Sequence, residues 1–363
     1  FGGTGNDTYI IDGVYIAVTE YAGEGVDEVR TSLARYLLPA NFEKLTGTSA
    51  SGQALTGNGG DNYIVGNVGI DTIAGGAGND VIEGGEGNDI LSGETGVDSV
   101  SYEHAVGAVQ VSLQAGIATG GAGNDQLWDF ENVIGSAFAD GLTGNDGNNV
   151  LAGLAGDDIL SGGAGIDTAS YEQAAAGVQV SLLAGLATGG AGNDTLSEIE
   201  NVRGSAYADG LTGDDGSNAL SGLGGDDLIE GGAGDDILSG GVGIDSVSYE
   251  HAVAGVQVSL AAGVATGGAG NDTLSEFENI RGSAYADMLT GDNGSNALSG
   301  LAGADQMIGL GGDDEYWVDN LGDLIVEAVG GGYDRVFAKV DYTLADNVES
   351  LTLIGRGNID AYG

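Results

Sequence analysis

The sequence predicts an all-β solenoid, because a nine-residue unit recurs with a fixed pattern of glycine, aspartate and apolar residues. Eighteen copies of this unit, the nonapeptide, lie in four contiguous blocks, and position 1 of every copy is Gly. Position 4 is Gly in fifteen copies, and position 6 is Asp in fourteen and Asn in four. Position 8 is Ile, Leu, Val or Met in all copies except those with Ala169 and Tyr316. A short fixed period of this kind is typical of a chain in which each repeat packs against its neighbours.

The blocks divide the chain into nine regions. Block 1 spans residues 57–101 and reads GNGGDNYIV, GNVGIDTIA, GGAGNDVIE, GGEGNDILS and GETGVDSVS. Blocks 2, 3 and 4 span residues 135–170, 204–248 and 282–317, with four, five and four copies. Between them lie three similar connectors, residues 102–134, 171–203 and 249–281, in which VQVSL and similar segments alternate as half-buried strands should. Residues 1–56, which begin inside a repeat, and residues 318–363 resemble each other and are expected to be β-rich flanks.

Each position of the nonapeptide has a physical reason. Glycine at positions 1 and 4 allows left-handed backbone conformations that a Cβ disfavours, which predicts a tight turn over the first six residues. Positions 7 to 9 alternate small, large apolar and small side chains, as expected for a very short strand with one buried residue. Two nonapeptides then make one coil, and stacked coils bury the residues at position 8. In block 1 these core residues are Ile64, Ile73, Ile82, Leu91 and Val100.

The turns also predict metal binding. Aspartate carboxylates and turn carbonyls from neighbouring coils would form cages made only of oxygen atoms. The chain has no Cys and two His. Hard oxygen ligands in a flexible arrangement favour Ca²⁺ over zinc or copper.

The pattern GGxGxDxUx, where U is large and apolar, resembles the RTX calcium-binding repeat. This resemblance implies a right-handed parallel β-roll, several calcium ions held in the turns, and export by a type I secretion system. It also implies that the position-6 aspartates are calcium ligands: Asp71, Asp80, Asp89, Asp98, Asp158, Asp167, Asp227, Asp236, Asp245, Asp305 and Asp314. A second set of candidates matches the motif less fully: Asp7, the connector residues Asp125, Asp194 and Asp272, and Asn62, Asn149, Asn218 and Asn296. The asparagines offer an amide oxygen without charge, so we expect them to bind calcium more weakly.

Three copies depart from the glycine turn, because blocks 2, 3 and 4 each open with an aromatic residue at position 4. These residues are Phe138, Tyr207 and Tyr285, which we expect to fill the roll where a coil starts. The aspartates of the same copies are therefore doubtful ligands: Asp140, Asp209 and Asp287.

The charge of the chain agrees with a calcium-dependent fold. Fifty-five acidic residues against eight basic ones give a formal net charge of −47. This sign excludes nucleic acid as a partner. Without counter-ions, self-repulsion would oppose compact packing. We therefore expect the chain to be largely unfolded without calcium and to fold as calcium binds.

Other sequence features indicate an extracellular setting. With no Cys there are no disulfides, so calcium takes the stabilising role. No run of about twenty apolar residues predicts a membrane span. We expect the chain to be a segment of a longer secreted or cell-surface protein, with self-association or surface and matrix partners as possible contacts.

No catalytic constellation is present in the sequence. His104 and His251 occur in SYEH, but the middle connector has Gln173 at the same place, so a surface or packing role is favoured. HExxH and GxSxG motifs are absent. We therefore expect a non-catalytic structural region of adhesin, stalk or surface-layer type. The alternative is an accessory domain of a secreted RTX protease, lipase or alginate epimerase.

Overall fold

The structure is a computed structural model that describes residues 2–13, 16–355 and 360–362. The remaining residues of the two predicted flanks lie outside the described part of the chain. The described residues form strands and turns and contain no helix, which confirms the all-β fold class. Accordingly, no helix in the described ranges is long and apolar enough to cross a membrane.

The strands are short, most of them three or four residues long. The first twenty are β1 (Thr8–Ile11), β2 (Glu28–Thr31), β3 (Arg35–Leu37), β4 (Lys44–Gly47), β5 (Ala54–Thr56), β6 (Tyr63–Val65), β7 (Thr72–Ala77), β8 (Val81–Glu83), β9 (Ile90–Thr95), β10 (Ser99–Ser101), β11 (Val109–Ser112), β12 (Ile117–Gly120), β13 (Gly123–Trp128), β14 (Asn132–Ile134), β15 (Gly141–Thr143), β16 (Val150–Ala152), β17 (Ile159–Ser161), β18 (Thr168–Ser170), β19 (Val178–Ser181) and β20 (Leu186–Gly189). The others are β21 (Gly192–Ser197), β22 (Asn201–Arg203), β23 (Gly210–Thr212), β24 (Ala219–Gly224), β25 (Leu228–Glu230), β26 (Ile237–Val242), β27 (Ser246–Ser248), β28 (Val256–Ser259), β29 (Val264–Gly267), β30 (Gly270–Ser275), β31 (Asn279–Arg281), β32 (Met288–Thr290), β33 (Ala297–Ser299), β34 (Gln306–Ile308), β35 (Glu315–Val318), β36 (Leu324–Val326), β37 (Arg335–Ala338), β38 (Tyr342–Thr343), β39 (Ser350–Leu353) and β40 (Ala361–Tyr362).

The chain forms two compact units. The first comprises residues 1–170 and 191–199, and the second comprises residues 171–190 and 200–363. Strands β1–β18 and β21 lie in the first unit, and β19, β20 and β22–β40 lie in the second.

In the first unit, alternate strands build two parallel stacks. One stack follows the order β1, β2, β4, β6, β8, β10, β14, β16 and β18, and the other begins with β3, β5, β7, β9 and β13. Ile64 pairs with Ile82, and Ile73 pairs with Leu91, so the register advances by 18 residues per coil. The prediction that two nonapeptides make one coil is confirmed.

The connector of the first unit adds an antiparallel insertion to the second stack. Strands β11, β12 and β13 pair antiparallel in sequence. At the two edges of this insertion, β13 pairs parallel with β9 and β11 pairs parallel with β15. The connector strands therefore continue the stack on both sides.

The second unit repeats the same design. Its longer parallel stack runs β19, β23, β25, β27, β31, β33, β35, β37 and β39, with β20 paired antiparallel to β19. The other stack runs from β22 through β24 and β26 to β30, passes through the antiparallel strands β29 and β28, and continues with β32, β34 and β36. Strands β38 and β40 form a separate parallel pair.

Position 8 of the nonapeptide supplies the core, as predicted. Each of the five core residues expected in block 1 is at most 1% exposed. The two exceptional residues at this position, Ala169 and Tyr316, are also fully buried. The column of position-8 side chains therefore accepts both a methyl group and a phenol ring.

Glycine at position 1 has a different role from the one expected. In the copy GGAGNDVIE, Gly76 and Gly78 have φ of +112° at positions 2 and 4, but Gly75 at position 1 is not left-handed. A Cβ on Gly75 would instead collide with the Asp80 carboxylate and the Gly93 carbonyl oxygen. Close packing of oxygen atoms, not φ, therefore requires glycine at position 1.

The aromatic residues that open the later blocks do not fill the roll. Phe138, Tyr207 and Tyr285 are 44%, 49% and 48% exposed. This expectation was wrong because position 4 lies in the outer turn, while the interior is already occupied by position 8.

Candidate metal centres

The position-6 residues form columns joined by one repeated hydrogen bond. The backbone N–H of Asp71 donates to Oδ1 of Asp89 at 2.8 Å, and that of Asp80 donates to Oδ1 of Asp98 at 2.7 Å. The 18-residue coil places the carboxylate of one coil under the N–H of the coil before it. Each column therefore fixes one oxygen of each aspartate.

The other carboxylate oxygen has no such partner at most predicted ligand positions. Within the described residues, Oδ2 is buried and accepts no hydrogen bond at Asp80, Asp89, Asp98, Asp158, Asp227, Asp236, Asp245, Asp305 and Asp314. One predicted ligand differs from this set, because Asp71 accepts the N–H of Asn67 on Oδ2. Asp167 accepts the N–H of Asn149 on Oδ1, as the other aspartates accept theirs. A buried acceptor without a partner is costly.

Burial makes these carboxylates hard to ionise without a counter-ion. Desolvation raises the pKa of Asp80 and Asp236 to about 6, with neighbouring carboxylates adding to the rise and a backbone N–H opposing it. The same causes raise the pKa of five others to about 7: Asp89, Asp158, Asp227, Asp305 and Asp314. Either a bound metal ion or a proton would neutralise the buried negative charge and so lower this cost.

A second observation concerns the backbone oxygens beside these carboxylates. The space that a Cβ on Gly75 would fill is bordered by Oδ2 of Asp80 and the carbonyl oxygen of Gly93, one coil later. The same pair of oxygens surrounds Gly222, from Asp227 and Gly240. Carboxylate and carbonyl oxygens converging from successive coils are the ligand set that Ca²⁺ prefers.

The four position-6 asparagines are satisfied without an ion. In Asn149, Oδ1 accepts the N–H of Asn145 at 2.7 Å and the amide group donates to the carbonyl of Glu131 at 2.7 Å. In the same way, the amide of Asn62 donates to the carbonyl of Phe42. Those of Asn218 and Asn296 donate to the carbonyls of Glu200 and Glu278, respectively. The amide nitrogen thus donates to a backbone carbonyl of the preceding coil.

The three doubtful aspartates each have a serine four residues earlier. Ser136 donates from Oγ to Oδ1 of Asp140 at 2.8 Å and from its backbone N–H to Oδ2. Ser205 with Asp209 and Ser283 with Asp287 repeat this arrangement. Both oxygens of these carboxylates therefore have partners within the protein.

Two connector aspartates accept hydrogen bonds from tyrosines that were not predicted as site residues. The hydroxyl of Tyr102 donates to Oδ2 of Asp125 at 3.0 Å, and that of Tyr249 donates to Oδ2 of Asp272 at 2.9 Å. The third connector aspartate, Asp194, accepts the N–H of Asp158 on Oδ1. The available signal was the tyrosine of SYE, which recurs in every connector whereas the histidine does not.

Glutamates that were also missed end the aspartate columns. Oε2 of Glu131 accepts the N–H of Asp98 at 2.7 Å, and Oε2 of Glu278 accepts the N–H of Asp245 at 2.7 Å. In the flanks, Glu43 and Glu349 accept the N–H groups of the aspartates at 27 and 334, each at 2.8 Å. The glutamate before Asn in DFEN and EFEN was the sequence signal.

The two histidines bind neighbouring glutamates. Nδ1 of His104 lies 2.9 Å from Glu83, and Nδ1 of His251 lies 2.9 Å from Glu230, which raises the pKa of both histidines. Where the middle connector has Gln173, the residue 21 positions earlier is Ala152 in place of glutamate. The pair is therefore present or absent as a unit, in line with a packing role.

Comparison with known proteins identifies the repeats. The model of the RTX calcium-binding nonapeptide repeat matches residues 55–73, 65–100, 134–169, 186–197, 212–247, 264–275 and 280–316. The chain is therefore an RTX-repeat chain, and its matched segments belong to the family of calcium-binding nonapeptide repeats. Repeats of this family bind calcium ions, as predicted.

One curated protein with a similar segment is the endo-1,3-1,4-beta-glycanase ExsH of Rhizobium meliloti (strain 1021). The two are 48% identical over 63 residues, which is 17% of this chain. The match spans 13% of the glycanase, so it covers a small part of that protein.

Proposed function

We propose that this chain is a non-catalytic structural region that folds around calcium. The observation that carries the proposal is the series of buried, unpartnered Oδ2 atoms that face position-1 glycines. An ion at each place would accept the lone pairs of the carboxylate and of the turn carbonyls. The binding free energy would then become folding free energy.

The two kinds of coil suggest where the ions bind. We assign calcium to the position-6 aspartates with an unpartnered Oδ2, such as Asp80, Asp89 and Asp227. The coils closed by asparagine, by the serine–aspartate pairs or by the connector tyrosines are assigned no ion, because their polar atoms already have partners. The same repeat thus gives ion-dependent and ion-independent coils.

The setting of such a region is extracellular. RTX-repeat proteins are typically secreted by type I systems. Free calcium is low in the cytosol and high outside the cell, so a calcium-dependent fold would form after export. We propose a stalk or adhesin-like role at the cell surface, because connector and block are repeated together and the number of nonapeptides varies.

A second candidate is supported by the similar segment in the glycanase. In this alternative the chain is the accessory region of a secreted enzyme that cleaves polysaccharide, with catalysis elsewhere in the longer protein. In either case the role of this chain itself is structural and not catalytic.

Circular dichroism during a calcium titration tests the main proposal, with magnesium as the control ion. The expected result is a β-sheet spectrum that appears with calcium, disappears with a chelator and is not restored by magnesium. A β-sheet spectrum that survives complete calcium removal would contradict it.

A hydrolysis assay tests the non-catalytic role. The chain is incubated with mixed-linkage β-glucan and calcium, and the reducing ends are counted. We expect no release above the blank, and release that is lost on heat denaturation would show that the chain is itself an enzyme.

A further inference from the structure

The coils at the two ends of the chain differ from the nonapeptide coils by two residues. The N–H of Asp7 donates to Oδ1 of Asp27 at 2.9 Å, and the N–H of Asp314 donates to Oδ1 of Asp334 at 2.9 Å. Both steps span 20 residues, against 18 inside the blocks. The aspartate column therefore continues into the flanks over a longer coil.

The longer coil brings in a third carboxylate at the same spacing in both flanks. Glu20 follows Asp7 by 13 residues, and Glu327 follows Asp314 by 13 residues. Among the described residues, Asp7–Glu20–Asp27 and Asp314–Glu327–Asp334 are the two groups of three acidic residues whose oxygens lie within 4.8 Å of one another. We call them the N-terminal and C-terminal triads.

The triads contain buried oxygens that have no hydrogen-bond partner. In the N-terminal triad, Glu20 and Asp27 are 2% and 1% exposed, and Oε2 of Glu20 and Oδ2 of both aspartates accept no hydrogen bond. In the C-terminal triad, Asp314 and Asp334 are fully buried, and Oδ2 of each is unpartnered.

A tyrosine hydroxyl orients the glutamate of each triad. Tyr9 donates to Oε1 of Glu20, and Tyr316 donates to Oε1 of Glu327. A Cβ on Gly309 would collide with three oxygens at once, those of Tyr316, Asp314 and Glu327. The oxygens of the C-terminal triad therefore surround a space that only glycine leaves open.

No nearby cation of the protein neutralises the triads in the described structure. Arg30, three residues after the N-terminal triad, pairs with Glu28 at 2.9 Å. Arg335, next to Asp334 in the chain, lies 3.6 Å from Glu315. Three clustered carboxylates without a basic partner cannot all be ionised and buried unless a metal ion binds them.

We propose that the two triads are calcium sites of a second kind, each with three carboxylate ligands, and that they bind more tightly than the nonapeptide sites. The oxygen separations suit one ion with Ca–O distances of about 2.3–2.6 Å. Affinity for Ca²⁺ rises with the number of charged ligands and the rigidity of the site. The proposal rests on the calcium-dependent function above and adds Glu20, Asp27, Glu327 and Asp334 to its ligands.

Terbium luminescence tests the triads, because Tb³⁺ replaces Ca²⁺ at oxygen sites and is excited by energy transfer from nearby aromatic rings. Tyr9 and Tyr316 lie against the triads and serve as the donors. The full chain is titrated with Tb³⁺ alone and then with calcium as competitor. The expected curve has an early phase from the triads, before the nonapeptide sites fill.

The double variant E20Q/E327Q keeps the side-chain length and removes one charge from each triad. We expect it to lose the early phase, with calcium affinity at these sites weaker by about tenfold or more. E86Q, at an exposed position 3 of a nonapeptide, is the matched control and should titrate like the wild type. The double variant E20D/E327D keeps the charge and should retain the early phase at weaker affinity.

The outcomes separate this proposal from the general one. An E20Q/E327Q titration identical to that of E86Q overturns the triads as metal sites, while calcium-dependent β structure can still stand. If neither the wild type nor E20D/E327D shows an early phase, the triads are likewise not metal sites. Protons shared among the carboxyl groups then explain how the three carboxyl groups can be buried together. A wild-type chain that folds without any calcium overturns the proposed function.

Discussion

The coils around Asp80 and Asn149 each contain the same type of backbone hydrogen bond, and they differ in one side-chain atom at position 6. In both, the position-6 residue donates its backbone N–H to a carboxylate 18 residues later, at 2.7 Å. Oδ2 of Asp80 has no partner, whereas Nδ2 of Asn149 donates to a carbonyl. An NH₂ group in place of one oxygen thus converts a candidate ion site into a closed hydrogen-bond network. The difference teaches that both coils make the same backbone hydrogen bond and differ in whether the second side-chain atom at position 6 has a partner.

Calcium removal should produce the largest contrast between these coils. In a chelator we expect most of the β-sheet circular dichroism to disappear, because many buried carboxylates lose their counter-ions together. Residue-resolved hydrogen exchange should show the greatest loss of protection at Asp80 and Asp89, and a smaller loss at Asn149. Equal loss at all three positions would remove the distinction between the coils.

Replacement of Ser136 by alanine should destabilise an ion-independent coil even with saturating calcium. The variant S136A leaves Oδ1 of Asp140 without the hydroxyl that it accepts in the buried turn. We expect the free energy of unfolding in urea to fall by about 1–3 kcal/mol. S51A, at an exposed turn position, is the control and should stay within about 0.5 kcal/mol of the wild type. A stable S136A would mean that the pair does not close the coil.

The variant D80N should move one coil from the first class to the second. It removes a buried carboxylate whose pKa is raised, so D80N should keep more β-sheet circular dichroism in chelator than the wild type does. Equilibrium dialysis should detect one bound calcium ion fewer. D146N makes the same change of charge at an exposed residue and should alter neither quantity. If D80N binds as many ions as the wild type, Asp80 is not a ligand.

Acidification should stabilise the calcium-free chain. Because burial raises the pKa of Asp80 to about 6 and of Asp89 to about 7 from 3.8, the folded chain binds protons more readily than the unfolded chain does. This contribution to stability is fully present below about pH 3.8 and is lost as the pH rises through about 6 to 7. The β-sheet circular dichroism that remains in chelator should therefore fall from pH 5 to pH 8. With calcium present the trend should reverse, since protons compete with the ion.

The histidine–glutamate pairs should have the smallest effect. Glu83 raises the pKa of His104, so the stabilisation is present below the ordinary histidine pKa of 6.5 and is lost as the pH rises through the raised value. His104 is mostly exposed, so we expect H104Q to cost at most about 0.5 kcal/mol at low pH and nothing at pH 9. In the middle connector Gln173 and Ala152 stand at the corresponding sequence positions, so the repeat tolerates this change. A larger, pH-independent loss in thermal unfolding would point to packing instead.

Sequence periodicity was sufficient to predict the coil and its core. Position 8 recurs every nine residues, and a strand of three residues can bury only its middle side chain, so Ile82 and Leu91 could be assigned to the interior. The same regularity selected the aspartates now seen with unpartnered oxygens. These predictions depended on neighbours in a repeating unit, which a sequence displays directly.

The residues that were missed act over distances that the period does not encode. Tyr102 reaches an aspartate 23 residues later, and Glu131 accepts an N–H 33 residues earlier. Each crosses the antiparallel insertion in its connector, so no nine-residue rule places it. The triads were missed for a similar reason, because the glutamate enters from a 20-residue coil that the nonapeptide does not describe.

The spacing of the coils has an electrostatic consequence. Paired strands lie about 4.8 Å apart, so carboxylates on successive coils form a line of charge at that spacing. Two such charges repel by about 0.9 kcal/mol even with the dielectric constant of water, which exceeds the thermal energy of about 0.6 kcal/mol.

A line of charge this dense collects monovalent ions from solution, as the phosphates of a nucleic acid do. Each calcium ion that enters a column must displace part of that atmosphere. The calcium concentration needed for folding should therefore rise with the sodium concentration. We therefore expect the fold to respond to the ratio of divalent to monovalent ions in its surroundings and not to calcium alone.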